Sequence, residues 1–153
     1  MLTIPQLAQY LQDEQACFEI IEHSSPILSV KDAEKYFDSS KAAPVFIMKT
    51  EKGLLALVIS AQRGRIDFKQ MGKNLGYTKF KMADRDEITR VTGYETGAIP
   101  LIGHGLPCFI DNQLFEQDFI YGGSGDVLHT LKITPQDLIR LTSPTMLTEE
   151  CFG

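Results

Sequence analysis

The chain has 153 residues, 43% of them hydrophobic and 23% charged, with a formal net charge of −5. That size and balance suit a single domain over residues 1–153 with one core; they exclude a long disordered span and a protein that lays its whole face on nucleic acid. No apolar run approaches the roughly 20 residues of a membrane helix, and the first twelve residues have neither a basic start nor a sustained apolar stretch, so no signal peptide is expected. The cysteines Cys17, Cys108 and Cys151 are odd in number and form no CxxC, which argues against a disulfide framework and a zinc site and for a reducing cytoplasm. The charge is uneven. Residues 63–90 hold eight basic side chains against four acidic, while the segments on either side are acidic, so a phosphate backbone can be held only locally.

Taken in chain order, Thr3 with Gln6 forms a capping box that opens a helix, with Ile4, Leu7 and Leu11 on one face. Phe18 to Glu22 reads as a strand with His23 at its end, and Ser29 caps a short helix through Tyr36 or Phe37. Val45 to Met48 and Leu54 to Ile59 are continuously apolar and joined by the polar Lys49-Thr50-Glu51-Lys52-Gly53, which predicts a hairpin buried on both faces. Asp67 starts a helix carrying Phe68, Met71 and Leu75, with Gly76 placed as its C′ residue. A short strand over Phe80 to Met82 follows, and then a helix from Asp84 through Val91.

That helix delivers the chain to Thr92-Gly93-Tyr94-Glu95-Thr96-Gly97-Ala98-Ile99-Pro100, where two glycines and a proline interrupt the pattern. Such a loop is either a structural bend or a device that aims backbone N–H groups at a ligand. Beyond it, Cys108 to Ile110 and Phe119 to Tyr121 read as strands, the second ended by Gly122-Gly123-Ser124-Gly125, which is either a turn or an anion nest. The alternating His129, Leu131 and Ile133 predict a last strand, and Thr134 with Pro135 opens a final helix packed through Leu138, Ile139 and Leu141. Strands interspersed irregularly with helices make the fold α+β, a central mixed but mostly antiparallel sheet or partial barrel of six or seven strands.

The chain contains no GxSxG, P-loop, HExxH or GxGxxG, and no cofactor is expected. His23, His104 and His129 fall on three different elements at no ligand spacing. Cys108 lies inside an apolar strand, where burial makes a thiol inert. His104 follows the glycine loop closely enough to reach the same cleft.

The order and spacing of these pieces resemble the YbaK/prolyl-tRNA synthetase-associated domain family over Phe18 to Thr142. The resemblance is carried by Phe18-x-x-x-x-His23, Ser29-Val30-x-Asp32-Ala33, the hairpin from Val45 to Ile59, and Asp67-Phe68-Lys69 with Leu75-Gly76. It continues through Val91-Thr92-Gly93, Gly97-Ala98-Ile99-Pro100, Pro107-x-Phe109-Ile110-Asp111, the glycine run and Pro135-x-Asp137-Leu138. It implies an aminoacyl-tRNA deacylase acting in trans on the ester of a small amino acid such as Ala or Cys, commonly on the tRNA for proline. Its partners would be mischarged tRNA and an aminoacyl-tRNA synthetase.

By the same resemblance, Gly97, Ala98, Ile99 and Pro100 position the ester through the backbone, and His23, Thr92, Gly93 and His104 bind substrate. The family lysine at the start of the hairpin falls here on Ala43 or Pro44, so Lys41, the nearest lysine, takes that place in the catalytic set. Lys69, Lys73, Lys79 and Lys81 of the basic segment would touch the acceptor stem. The alternative is a module of the same fold that binds nucleotide or tRNA without turnover.

Overall fold

The computed structural model describes residues 1–27 and 30–153. Its helices are α1 (Ile4–Asp13), α2 (Val30–Ala33), α3 (Phe68–Asn74), α4 (Arg85–Thr92) and α5 (Pro135–Thr142). Its strands are β1 (Phe18–Glu22), β2 (Val45–Thr50), β3 (Gly53–Val58), β4 (Phe80–Met82), β5 (Cys108–Asp111), β6 (Ile120–Gly123), β7 (His129–Ile133) and β8 (Thr145–Leu147). Short 3₁₀ turns join them.

The helix starts are set by local chemistry. Thr3 Oγ1 accepts from Gln6 N and Gln6 Oε1 accepts from Thr3 N, which closes the expected capping box at α1. Asp67 and Thr134 cap α3 and α5 through Gln70 N and Asp137 N. The predicted cap Ser29 lies outside the described residues. Gly76 takes φ +86° directly after the α3 C-cap, Leu75, a conformation in which a Cβ would be strained.

The strands form two sheets and do not close into a barrel. One has the order β1-β7-β6 and is wholly antiparallel; the other has the order β4-β2-β3-β5-β8. In the second, β2 pairs antiparallel with β3 and β4, while β3–β5 and β5–β8 are parallel. The single sheet or partial barrel of six or seven strands is therefore corrected to two open sheets, because β1 and β6 both pair with β7 rather than with the hairpin. β8 has no counterpart in the sequence reading, being three residues long and joined to β5 by parallel register. In the hairpin, Lys49 pairs with Leu54 and Thr50 with Gly53, so the five-residue polar connection shortens to the two-residue turn Glu51-Lys52.

Three apolar clusters hold the layers together. Leu7 and Leu11 of α1 and Leu138 of α5 pack on Ile120, Leu131 and Ile133 of the smaller sheet and Ile110 of β5. Met48, Leu55 and Leu57 meet Met71 of α3 and Leu147 of β8. Ile47 and Ala56, pointing the other way, meet Ile88, Tyr94 and Ile99. The hairpin is thus apolar on both faces because both are covered.

Candidate active site

A cavity of about 290 Å³ opens where the two sheets meet, and the contact that builds it is made by backbone. Ala43 N donates to Tyr121 O (2.8 Å), and Leu101 N donates to Gly123 O (2.9 Å). Gly122 and Gly123 are therefore strand residues, paired with Leu131 and Thr130, rather than the turn that ends the strand. A Cβ on Gly123 would lie 1.9 Å from Ile99 O, and one on Gly122 would lie 2.7 Å from the Leu101 side chain. Only glycine lets the Ile99–Leu101 backbone lie this close to β6.

The wall is made of small residues and backbone: Ala33, Ala42, Ala43, Gly97, Ala98, Gly122 and Gly123. Phe37 and Tyr121 add a stacked aromatic pair, with centroids 4.4 Å apart and planes at 7°. Thr96, Gly97 and Ala98 form a 3₁₀ turn in which Ala98 N donates to Glu95 O (2.9 Å). The Ala98 amide is thus spent inside the turn. The Thr96 and Gly97 amides, at the start of the turn, donate to no protein acceptor among the described residues, and Glu95 makes no side-chain cap. Gly97 keeps a negative φ, so the loop does not need it for handedness.

The other predicted site residues divide. Ile99 lines the cavity, whereas Pro100 is buried beside it. Lys41 ends a 3₁₀ turn over Ser39–Lys41 and its Nζ is bonded to Asp118 Oδ1 (3.2 Å); the wall positions that follow it are Ala42, Ala43 and Pro44. This partner raises the lysine pKa and lowers that of Asp118. Thr92 Oγ1 donates to Ile88 O (2.7 Å) and accepts from Tyr94 N (3.1 Å), and Gly93 is the left-handed cap of α4 at φ +81°. Both serve the helix end, away from the cavity wall.

His104 lies elsewhere too, in a second cleft with Leu2, Tyr10 and Cys108. Its Nδ1 accepts from Leu106 N (3.0 Å), so in the neutral ring the proton sits on the buried Nε2, and burial lowers its pKa. Cys108 is pushed up to about 11 by burial, which leaves it protonated and unreactive at neutral pH.

His23 stands directly behind the wall. Its Nε2 shares a hydrogen bond with Thr130 Oγ1 (2.7 Å), its ring packs on Tyr36 at 4.2 Å, and burial followed by His129 lowers its pKa. It is therefore a neutral ring that orients Thr130, which does line the cavity. Asp126, His129, Thr130, Tyr121 and Phe37 are wall residues that sequence reasoning did not select. The one local signal was Gly122-Gly123, which marks a close backbone approach.

Of the lysines of the basic segment, Lys79 and Lys81 lie beside and on β4, toward the turn end of the hairpin, and Lys69 and Lys73 lie on α3. Lys81 pairs with Lys49, four residues along β2 from the cavity-lining Val45, or about 13 Å at the ordinary strand rise. Lys69, Lys73, Lys79 and Lys81 are all exposed and take part in none of the ion pairs among the described residues. Arg63 and Arg90 of the same segment are committed instead, to Asp111 with Glu149 and to Glu87. Among the described residues no group of three or more His, Cys, Asp or Glu could hold a metal ion, and no helix is long and apolar enough to cross a membrane.

Fold and cavity together define a class: an α+β domain in which a pocket lined in part by glycine and alanine lies at the junction of two sheets. The chain belongs to the aminoacyl-tRNA editing domain family, whose model matches residues 24–141, in agreement with the YbaK resemblance. In structure it is similar to a protein described as a candidate trans-editing enzyme for prolyl tRNA synthetase, at TM-score 0.80 and 19% identity over 97% of each chain. It is also similar to a hypothetical protein, at TM-score 0.81 and 20% identity over 92% of this chain and 95% of the other. A candidate signal transduction protein from Marinobacter aquaeolei VT8 carries a similar fold within a longer chain, at TM-score 0.68 and 18% identity over 97% of this chain and 30% of its own. At these identities the likeness is one of fold.

Proposed function

We propose that this protein is a trans-acting deacylase that hydrolyses the ester between a small amino acid, such as Ala or Cys, and the 3′ adenosine of a mischarged tRNA, that for proline first among them. The observation that carries the reading is the cavity wall, in which small residues adjoin backbone amides that have no protein acceptor among the described residues. Attack of water on an ester places negative charge on the carbonyl oxygen, and the Thr96 and Gly97 amides are donors suited to that charge. Among the described residues no Cys, Ser or Lys lines the cavity; in this reading water is the nucleophile and the loop acts through its backbone. The cavity, about 290 Å³ and bounded by Ile27, Phe37, Val45, Ile99 and Tyr121 as well as by Gly and Ala, is suited to a small side chain, which is discrimination by size in a second site. The exposed Lys69, Lys73, Lys79 and Lys81, in none of the ion pairs among the described residues, supply an electrostatic surface for the acceptor stem. The chain would work in the cytoplasm, alongside the synthetase that produces the error.

The second reading, a binding module without turnover, is favoured by the wall positions Ala43 and Pro44 and by the engagement of Lys41 with Asp118. A panel of tRNAs charged with Ala, Cys, Ser and Pro separates the two. Accelerated release of Ala or Cys supports the deacylase. Retained tRNA binding with no acceleration on any member of the panel leaves the module.

A further inference from the structure

Resting on the editing reading, we infer that Asp126 recognises the α-ammonium group of the aminoacyl ester. Among the described residues Asp126 is the only carboxylate that lines the cavity, and neither Lys nor Arg lines it, so this wall favours a cation. An aminoacyl ester carries a cation at its amino-acid end and polyanion along its tRNA. The protein has a complementary arrangement, with a carboxylate at the cavity and, toward the turn end of the hairpin, Lys81, which takes part in none of the ion pairs among the described residues.

The carboxylate is held in place by its turn. Leu128 N donates to Asp126 Oδ1 (2.8 Å), and the nearly fully buried Ser124 donates from Oγ to His129 O (2.7 Å). His23 N and Ile27 N donate to Leu128 O and Val127 O, which ties the turn to the end of β1 and the residues after it. Oδ2 takes no protein donor among the described residues, and His129 Nδ1 stands 3.6 Å from Oδ1, beyond hydrogen-bond length. A carboxylate with one oxygen fixed and the other open is a preorganised acceptor for an ammonium N–H.

The test uses two nonhydrolysable ligands of equal size, 3′-deoxy-3′-(alanylamino)adenosine and its lactyl counterpart, in which a hydroxyl replaces the amine. Calorimetry is expected to show wild type binding the alanyl ligand roughly tenfold more tightly than the lactyl ligand, the scale of one charge-assisted contact at a partly exposed site. Asp126→Asn keeps an oxygen to accept from Leu128 N, so the turn survives; the preference is expected to fall to near unity with lactyl affinity unchanged. No preference in wild type, no binding of the alanyl ligand, or a preference undiminished in Asp126→Asn overturns the assignment. Because the ligands cannot be hydrolysed, the result is separate from turnover. A protein that shows the preference but deacylates nothing keeps the recognition and loses the deacylase reading. One that deacylates without the preference does the reverse.

Discussion

Gly97 adopts ordinary negative φ and lines the cavity, so a side chain placed there changes the wall without straining the backbone of the turn. Gly97→Val places two methyl groups at the cavity wall while leaving the backbone accessible to the new residue. Hydrolysis of the mischarged ester is expected to fall about 100-fold, the scale of losing one oxyanion donor, with an unchanged thermal midpoint. Undiminished turnover would remove the loop from the mechanism. His104 makes a prediction of another kind. Burial lowers its pKa in the folded state, and His23 is shifted the same way by burial and by His129. As pH falls through about 6.5 the unfolded chain protonates these rings before the folded one does, so stability is full above that pH and is lost progressively below it. Urea midpoints measured from pH 7.5 down to pH 5 are expected to drop, and His104→Gln to drop less steeply.

At the scale of elements, β6 and the glycine loop form one unit, because Gly123 is the place where their backbones touch. Gly123→Ala would set a methyl group against Ile99 O, so strand and loop must separate. A loss of about 2 kcal/mol or more in urea unfolding is expected, with loss of hydrolysis, since the loop bounds the cavity. Arg63 links a different pair. It binds the fully buried Asp111 through Nε (3.0 Å) and Nη2 (2.8 Å), binds Glu149, and lies 3.9 Å from the Phe152 ring centroid. Asp111 also accepts from Ser60 N, so β5, the turn after β3 and the C-terminal 3₁₀ turn share one charge cluster. Arg63→Ala leaves a buried carboxylate unpaired and is expected to cost about 3–5 kcal/mol in urea unfolding. A cost under 1 kcal/mol would mean that water or another donor reaches Asp111.

On the scale of the whole molecule, charge is segregated although the total is −5. Among the described residues six Lys or Arg side chains are spent on ion pairs; Lys69 and Lys73 on α3 and Lys79 and Lys81 beside and on β4 are among those that are not, and all four are exposed. Replacing these four by Ala is expected to weaken tRNA binding and to reduce the slope of log affinity against log salt by up to about 3, while affinity for the adenosine ligands stays as in wild type. An unchanged salt slope would move the tRNA surface elsewhere.

The elements with local causes were legible in the sequence. The Thr3–Gln6 box, the Asp67 and Thr134 caps, Gly76 at a helix end and the doubly buried hairpin all depend on residues within a few positions of one another. The partition into two sheets was not: β6 and β7 are near neighbours along the chain, but β7 also pairs with β1, more than 100 positions away, a choice no local pattern encodes. The cavity divides in the same way. Its glycine loop announced itself by composition, whereas Phe37, Asp126, His129 and Thr130 meet it only through the contact of Ala43 with Tyr121 and of Leu101 with Gly123. His104 shows the converse, since nearness in sequence to the loop does not bring its ring to the cavity. The sequence by itself determined that a backbone-rich loop follows α4 and that it matches an editing family. Only the tertiary structure decided which amides in that loop stay uncommitted and which side chains face them, because burial and hydrogen-bond competition are settled by packing between distant segments.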